Sequence, residues 1–205
     1  VGSVYVGLTF APTNGTVTLG AADLRGGLWL GGTTTGNVLT GPVTQGSQRA
    51  TLAKIGAGTW TVNGDVAVGK VAIGEGKLIN NGTISTDYGG VFLGGGEFHY
   101  NNPLSIGNSI LTLQGGSLDN TSGGAIAVPG AAYQPRQTWT SAGGTFIGTD
   151  DLDLGTGNVT LSGNPTVTIS AGTLTIGGVI DDGATAYGLT KAGPGTLKLT
   201  GSNTY

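Results

Sequence analysis

Apolar residues recur at every second position along this chain, in runs too short for anything but brief strands. The longest clean run sets Val4, Val6, Leu8 and Phe10 on one face against Tyr5, Gly7 and Thr9, and Pro12-Thr13-Asn14-Gly15 then turns the chain into Thr16–Leu19. Shorter runs follow at Leu28–Leu30 and Val38-Leu39, and then in quick succession at 65–68, 70–73, 77–80, 82–86, 90–93 and 97–100. From 104 to 118 the pattern loosens around Gly115-Gly116. Residues 121–140, with Pro129-Gly130 and Gln134-Pro135-Arg136, read as a loop or lateral excursion. Regularity returns at 145–147, 152–154, 159–161, 167–169, 174–176 and 179–180. No window free of Gly and Pro carries a 3.6-residue apolar spacing, so the chain is expected to be all-β, and no composition shift divides residues 1–205 into two domains.

One pattern occurs twice without a gap: Leu-x-Lys-x-Gly-x-Gly-Thr-apolar-x-apolar-x-Gly, at Leu52–Gly64 and at Leu189–Gly201. A thirteen-residue pattern kept at two distant sites indicates a unit of a repeat architecture. The copies, and above all Leu197-Lys198-Leu199-Thr200-Gly201-Ser202-Asn203-Thr204-Tyr205, resemble the strand repeat of bacterial autotransporter passenger domains; Val66-Ala67-Val68 and Gly74–Ile79 resemble its second half. The resemblance covers about a quarter of the chain. It implies a right-handed parallel β-helix on a secreted or surface-anchored bacterial protein. It does not imply one activity, because that fold carries adhesins, fibres and enzymes alike.

Short strands at this pitch also suit a sandwich or a small barrel. The repeated pattern, the density of single and paired glycines at corners, and the scarcity of Asn-Gly hairpin turns (Asn14-Gly15, Asn63-Gly64, Asn81-Gly82) favour the solenoid. At roughly 20–23 residues per coil the chain would make roughly nine coils, and at ~4.8 Å per coil a rod ~40–45 Å long. Each coil of such a rod is covered only by its neighbours. No amphipathic capping helix is legible, and Tyr205 falls in the middle of the stretch that resembles the passenger repeat. The ends are therefore expected to associate head to tail, through Val4, Val6, Leu8 and Phe10 on one side and Leu197, Leu199 and Tyr205 on the other. Donation of the first strand to a neighbour, or a fragment of a longer passenger, are the competing readings.

Composition narrows the partners. Glycine numbers 43 and threonine 31, yet with 7 prolines and no Gly-X-Y period the chain is not collagenous. Eight Lys and Arg stand against eleven Asp and Glu, net −3, with no basic run, so a nucleic-acid partner is not expected. The absence of Cys removes disulfides, thiol nucleophiles and thiolate metal sites. No apolar run reaches the ~18 residues needed to span a bilayer. No signal-type leader precedes the first strand, so an exported protein would begin at Val1 only after processing.

Candidate chemistry is sparse. The lone His99 shares a face with Glu97, opposite Phe98 and Tyr100, and reads as part of an outward polar face. Asp151 and Asp153 would share the solvent side of a strand whose Leu152 and Leu154 point inward; two such carboxylates could bind Ca²⁺ or act as acid and base on a glycoside. The calcium β-roll spacing fails at Phe146. Gly64–Val71 nearly spells a phosphate-binding loop, but Val71 replaces the required hydroxyl and no helix follows. Trp60 matches the inward slot of Leu197 and reads as core, whereas Trp139 could equally be core or a sugar platform.

These features point to a non-enzymatic, extracellular β-solenoid without a cofactor, assembling end to end into a filament or a surface or biofilm-matrix fibre. An adhesin segment binding glycans or other cells through its lateral face is the alternative. A polysaccharide lyase or hydrolase on the same fold is a third reading.

Overall fold

The structure is a computed structural model that describes residues 7–46, 49–130 and 132–205. Among these residues there are strands and turns but no helix, and every strand pairing is parallel. Consecutive strands in the chain do not pair with one another, which excludes the hairpins of a sandwich or an up-and-down barrel.

Two faces run the length of the molecule. The first stacks Leu8–Phe10, Leu28–Leu30, Thr51–Lys54, Val66–Ile73, Ile84–Leu93, Leu111–Leu113, Gln137–Thr140, Val159–Ser162 and Ile180–Asp181. The second stacks Thr18–Leu19, Asn37–Leu39, Thr59–Val62, Lys77–Asn80, Glu97–Tyr100, Ser117–Asp119, Gly144–Phe146, Thr166–Ile169 and Thr190–Ala192 in a 9-stranded sheet. The third face changes along the axis. Ala22–Leu24, Val43–Gln45 and the leading halves of the two long strands serve it at first. After a turn-rich stretch at 102–108 it is rebuilt as a separate sheet from Ile126–Ala127, Leu152–Asp153, Thr173–Ile176 and Thr196–Leu199. The chain is thus a single β-helix of about nine coils, as its alternation and repeat pattern predict. Coil length varies with the corners: Trp60 pairs with Leu78, 18 residues on, while Leu111 pairs with Gln137, 26 residues on, and residues 128–130 and 132–136 in that interval carry no strand.

Alternation places every second residue inside, and stacking turns those positions into rows along the axis. Leu28, Leu52, Val71, Val91 and Leu111 form one such row on the first face; Trp60, Leu78, Phe98, Leu118 and Phe146 form one on the second. All ten are buried. Both Trp60 and Trp139 belong to this interior, and each indole N–H finds an acceptor, Gly31 O at 2.9 Å and Gln137 Oε1 at 3.0 Å.

The repeated pattern is a corner, and the two copies turn different corners. Leu52–Gly64 joins the first face to the second, whereas Leu189–Gly201 joins the second to the third. Its two central glycines answer separate demands. Gly56 and Gly193 take φ of 70° and 78°, a left-handed conformation costly to any residue with a Cβ. At the second glycine the coil beneath comes too close. A Cβ on Gly58 would lie 2.4 Å from Thr34 O, and one on Gly195 would lie 2.7 Å from Ala171 O.

Candidate functional site

The corner lysine is the first feature that separates the interior coils from the last one. Lys54 occupies an inward slot between Leu30 and Ile73, and is 1% exposed. Its Nζ donates to three carbonyls: Ile55 O at 2.9 Å and Gly56 O at 2.5 Å within its own corner, and Glu75 O at 3.1 Å in the next coil. Burial pulls its pKa down to about 8 against the attraction of Glu75. Lys191, in the same slot of the second copy, repeats the two bonds within its own corner, to Ala192 O at 3.4 Å and Gly193 O at 2.7 Å. Among the described residues it has no bond to a following coil, and it is exposed.

The same incompleteness marks the apolar rows. Leu197 and Leu199 continue the row positions of Leu174 and Ile176, which are 2% and 0% exposed, but are themselves only half-buried. Tyr205 is exposed. At the opposite end Phe10 packs against Trp60, ring centroids 6.5 Å apart, while Leu8 is 55% exposed. Leu8, Phe10, Leu19, Leu24, Leu28 and Leu39 line an apolar hollow of about 210 Å³ in the first coils. Val4 and Val6 lie outside the described residues.

On the outer side of the second face, Glu97 and His99 lie on one side of their strand and Phe98 and Tyr100 on the other. His99 is nevertheless buried, which the alternation alone does not reveal. Its Nε2 is hydrogen-bonded to Glu97 Oε1 and its Nδ1 lies 2.8 Å from Thr121 Oγ1, so the ring is held between two coils. Lys77, stacked directly on Glu97, forms an ion pair with it at 2.8 Å. Burial opposes the charge on Glu97, but the hydrogen bonds and charges of Lys77 and His99 outweigh it, and the carboxyl is held below its usual range. Asp119 adjoins His99 in register, and ligand atoms of Glu97, His99 and Asp119 lie within 4.8 Å of one another, a donor set that could hold a divalent cation. In this structure those atoms serve the stack: Asp119 accepts from Asn120 N, Thr149 N and Thr149 Oγ1.

The acidic turn anticipated from Asp150–Asp153 is used in the same manner. Leu152 and Leu154 point inward. Asp151 Oδ1 accepts from Thr173 N in the following coil at 2.7 Å, Asp150 Oδ2 from Gly123 N in the preceding one at 2.9 Å, and Asp153 Oδ1 from Gly155 N at 2.8 Å. Each carboxylate thus closes a corner.

The outer side of the first face carries a feature that sequence reasoning missed. Where Val68-Gly69-Lys70 passes from the third face to the first in one step, the next coil spends three residues, Asp87-Tyr88-Gly89, and the register shifts between Thr86 and Gly90. That bulge throws Tyr88 outward over Gly69, where a Cβ would lie 1.9 Å from the ring. The Arg49 guanidinium sits 4.7 Å over the Tyr88 ring, and Lys70 Nζ sits 4.1 Å over Phe92. Beyond them, two open hollows of about 290 and 220 Å³ adjoin at Ile110 and Arg136. Length bookkeeping between successive strands was the available signal: two extra residues at 87–89, ending in a glycine pair.

No family model matches the chain, and no curated protein or solved structure matches it.

Proposed function

We propose that this chain is a non-enzymatic structural subunit of a bacterial surface or extracellular matrix fibre, and that it assembles end to end. The observation that supports the reading is the stack itself: each coil is covered only by the coils on either side of it, so an end coil can be covered by one from another copy. The lysine of the repeated pattern has three carbonyl partners in the interior copy and two in the last coil, next to leucines whose interior counterparts are buried. The exposed hollow beneath Leu8 and Phe10 offers the matching apolar surface. A contact between unlike ends does not close on itself and so propagates into a filament. Strand edges without partners favour such pairing. The resemblance of residues 52–64 and 189–205 to passenger repeats supports a surface or secreted setting.

Negative-stain electron microscopy and sedimentation velocity of the purified 205-residue chain test this. Fibres with an axial repeat of ~40–50 Å, the coil count times the strand spacing, are expected. Single rods at every concentration overturn it. Leu199→Asp would set an unpaired charge among apolar neighbours and should abolish assembly while leaving the β-sheet circular dichroism in place.

A further inference from the structure

The outer side of the first face gathers three of the chain's eight Lys and Arg residues, although the chain as a whole carries a net charge of −3. Each cation stands beside apolar surface: Arg49 over Tyr88, Lys70 over Phe92, and Arg136 next to Ile110. Tyr88 and Ile110 are 47% and 36% exposed, so this apolar surface is open to a ligand. The acid beside them, Asp87, is engaged by Gln45 Nε2 at 2.9 Å.

We propose that this face binds an acidic polysaccharide, with its carboxylates meeting Arg49, Lys70 and Arg136 and its apolar faces lying against the exposed parts of Tyr88 and Ile110. The chemistry of each group fits. A guanidinium presents a planar fork that pairs with a carboxylate through two hydrogen bonds, and an ammonium supplies a compact charge. The exposed parts of Tyr88 and Ile110 offer apolar surface beside these polar contacts. Spacing selects the polymer. Arg49 leads into the coil of Thr51–Lys54 and Arg136 into that of Gln137–Thr140, four strand steps apart, which is ~19 Å at ~4.8 Å per step. Three cations over that distance suit a chain with a carboxylate on every sugar or every second sugar. They are too sparse for a nucleic-acid strand with a charge every ~3.4 Å. The face is independent of the ends, so a rod that stays monomeric keeps it.

Isothermal titration of the full chain with polygalacturonate tests the assignment, with neutral dextran and a single-stranded DNA oligonucleotide run alongside. Binding of the uronate polymer is expected to weaken on raising salt, and at least fivefold in each of Arg49→Ala, Arg136→Ala and Tyr88→Ala, with unchanged far-UV circular dichroism and unchanged sedimentation. Three results overturn it: no binding of polygalacturonate, variants that bind as the parent does, or DNA bound as tightly as the uronate polymer. Sedimentation of the same samples reports assembly separately, so failure of one reading does not count against the other.

Discussion

Replacing Lys54 with Met would remove the ammonium from an inward slot while nearly conserving the volume that packs between Leu30 and Ile73. Two opposing terms then decide the outcome. Three carbonyls lose a donor, at about 1 kcal/mol each, the low end of the range because these bonds are only part-buried. Against that, burial has lowered the lysine from 10.5 to about 8, and each unit is worth about 1.4 kcal/mol, so the charged form costs the folded state about 3 kcal/mol. The terms nearly cancel at neutral pH, and Lys54→Met should change stability by less than about 1–2 kcal/mol there.

The cancellation fails at higher pH. Between about 8 and 10.5 the folded protein sheds the Lys54 proton while the unfolded chain keeps it, so the unfolded state binds more protons and stability rises with pH. The contribution is unfavourable and complete below about 8, and is relieved as pH climbs toward 10.5. The parent should therefore gain about 2–3 kcal/mol on Lys54→Met between pH 7.5 and 10. Urea unfolding followed by far-UV circular dichroism at those two pH values reads the difference, and every other titrating group cancels between the two proteins. A parent-minus-variant difference that does not move with pH would refute the reasoning, because the carbonyl cage would then be compensating the burial in full. A variant destabilised by more than about 4 kcal/mol at pH 7.5 would refute the estimate for the orphaned carbonyls.

Gly58→Ala should cost about 2–3 kcal/mol, because its Cβ would lie 2.4 Å from Thr34 O. Gly20→Ala, where the Cβ meets nothing within 4 Å, should be close to neutral in the same urea titration. Glu97 is held below its ordinary value of 4.5, so the stability it adds is present above that value and is lost as pH falls through the lowered folded-state value. Lys77→Met should raise the Glu97 pKa, and side-chain carboxyl NMR titration would register the shift.

The fold was legible because the signals it rests on are local. Alternation from Asp65 to Tyr100 marks strands that the structure contains, and the corner pattern placed Trp60 inside because its slot matches that of Leu197. What escaped depends on which coil lies next to which. The pattern Leu52–Gly64 does not state that its second copy turns a different corner, since a strand–turn–strand unit carries no record of the face it starts from. Nor does a lysine in the motif reveal that its ammonium is buried, because the carbonyl that completes its shell comes from Glu75, 21 residues on. The same holds for His99: alternation places it with Glu97, but its cover comes from Thr121, 22 residues on.

The lateral face was hidden for a related reason, and the cause bears on how a solenoid acquires a site. A perfectly regular stack presents the same residue types row after row, and Thr112, Thr138 and Thr160 on the first face are such a row. Interrupting it takes a change in coil length. The two extra residues at Asp87-Tyr88-Gly89 do so without disturbing the inward residues on either side, Ile84 and Val91, which keep their partners Val66 and Val71. A bulge at a corner therefore alters the outer surface while the core continues through it. Shortening the bulge by deleting Asp87 and Tyr88 should retain the rod and its free energy of unfolding to within about 1 kcal/mol, while removing the ring on which Arg49 rests. Loss of the whole fold on that deletion would mean that the bulge is part of the stack itself and not an addition to its surface.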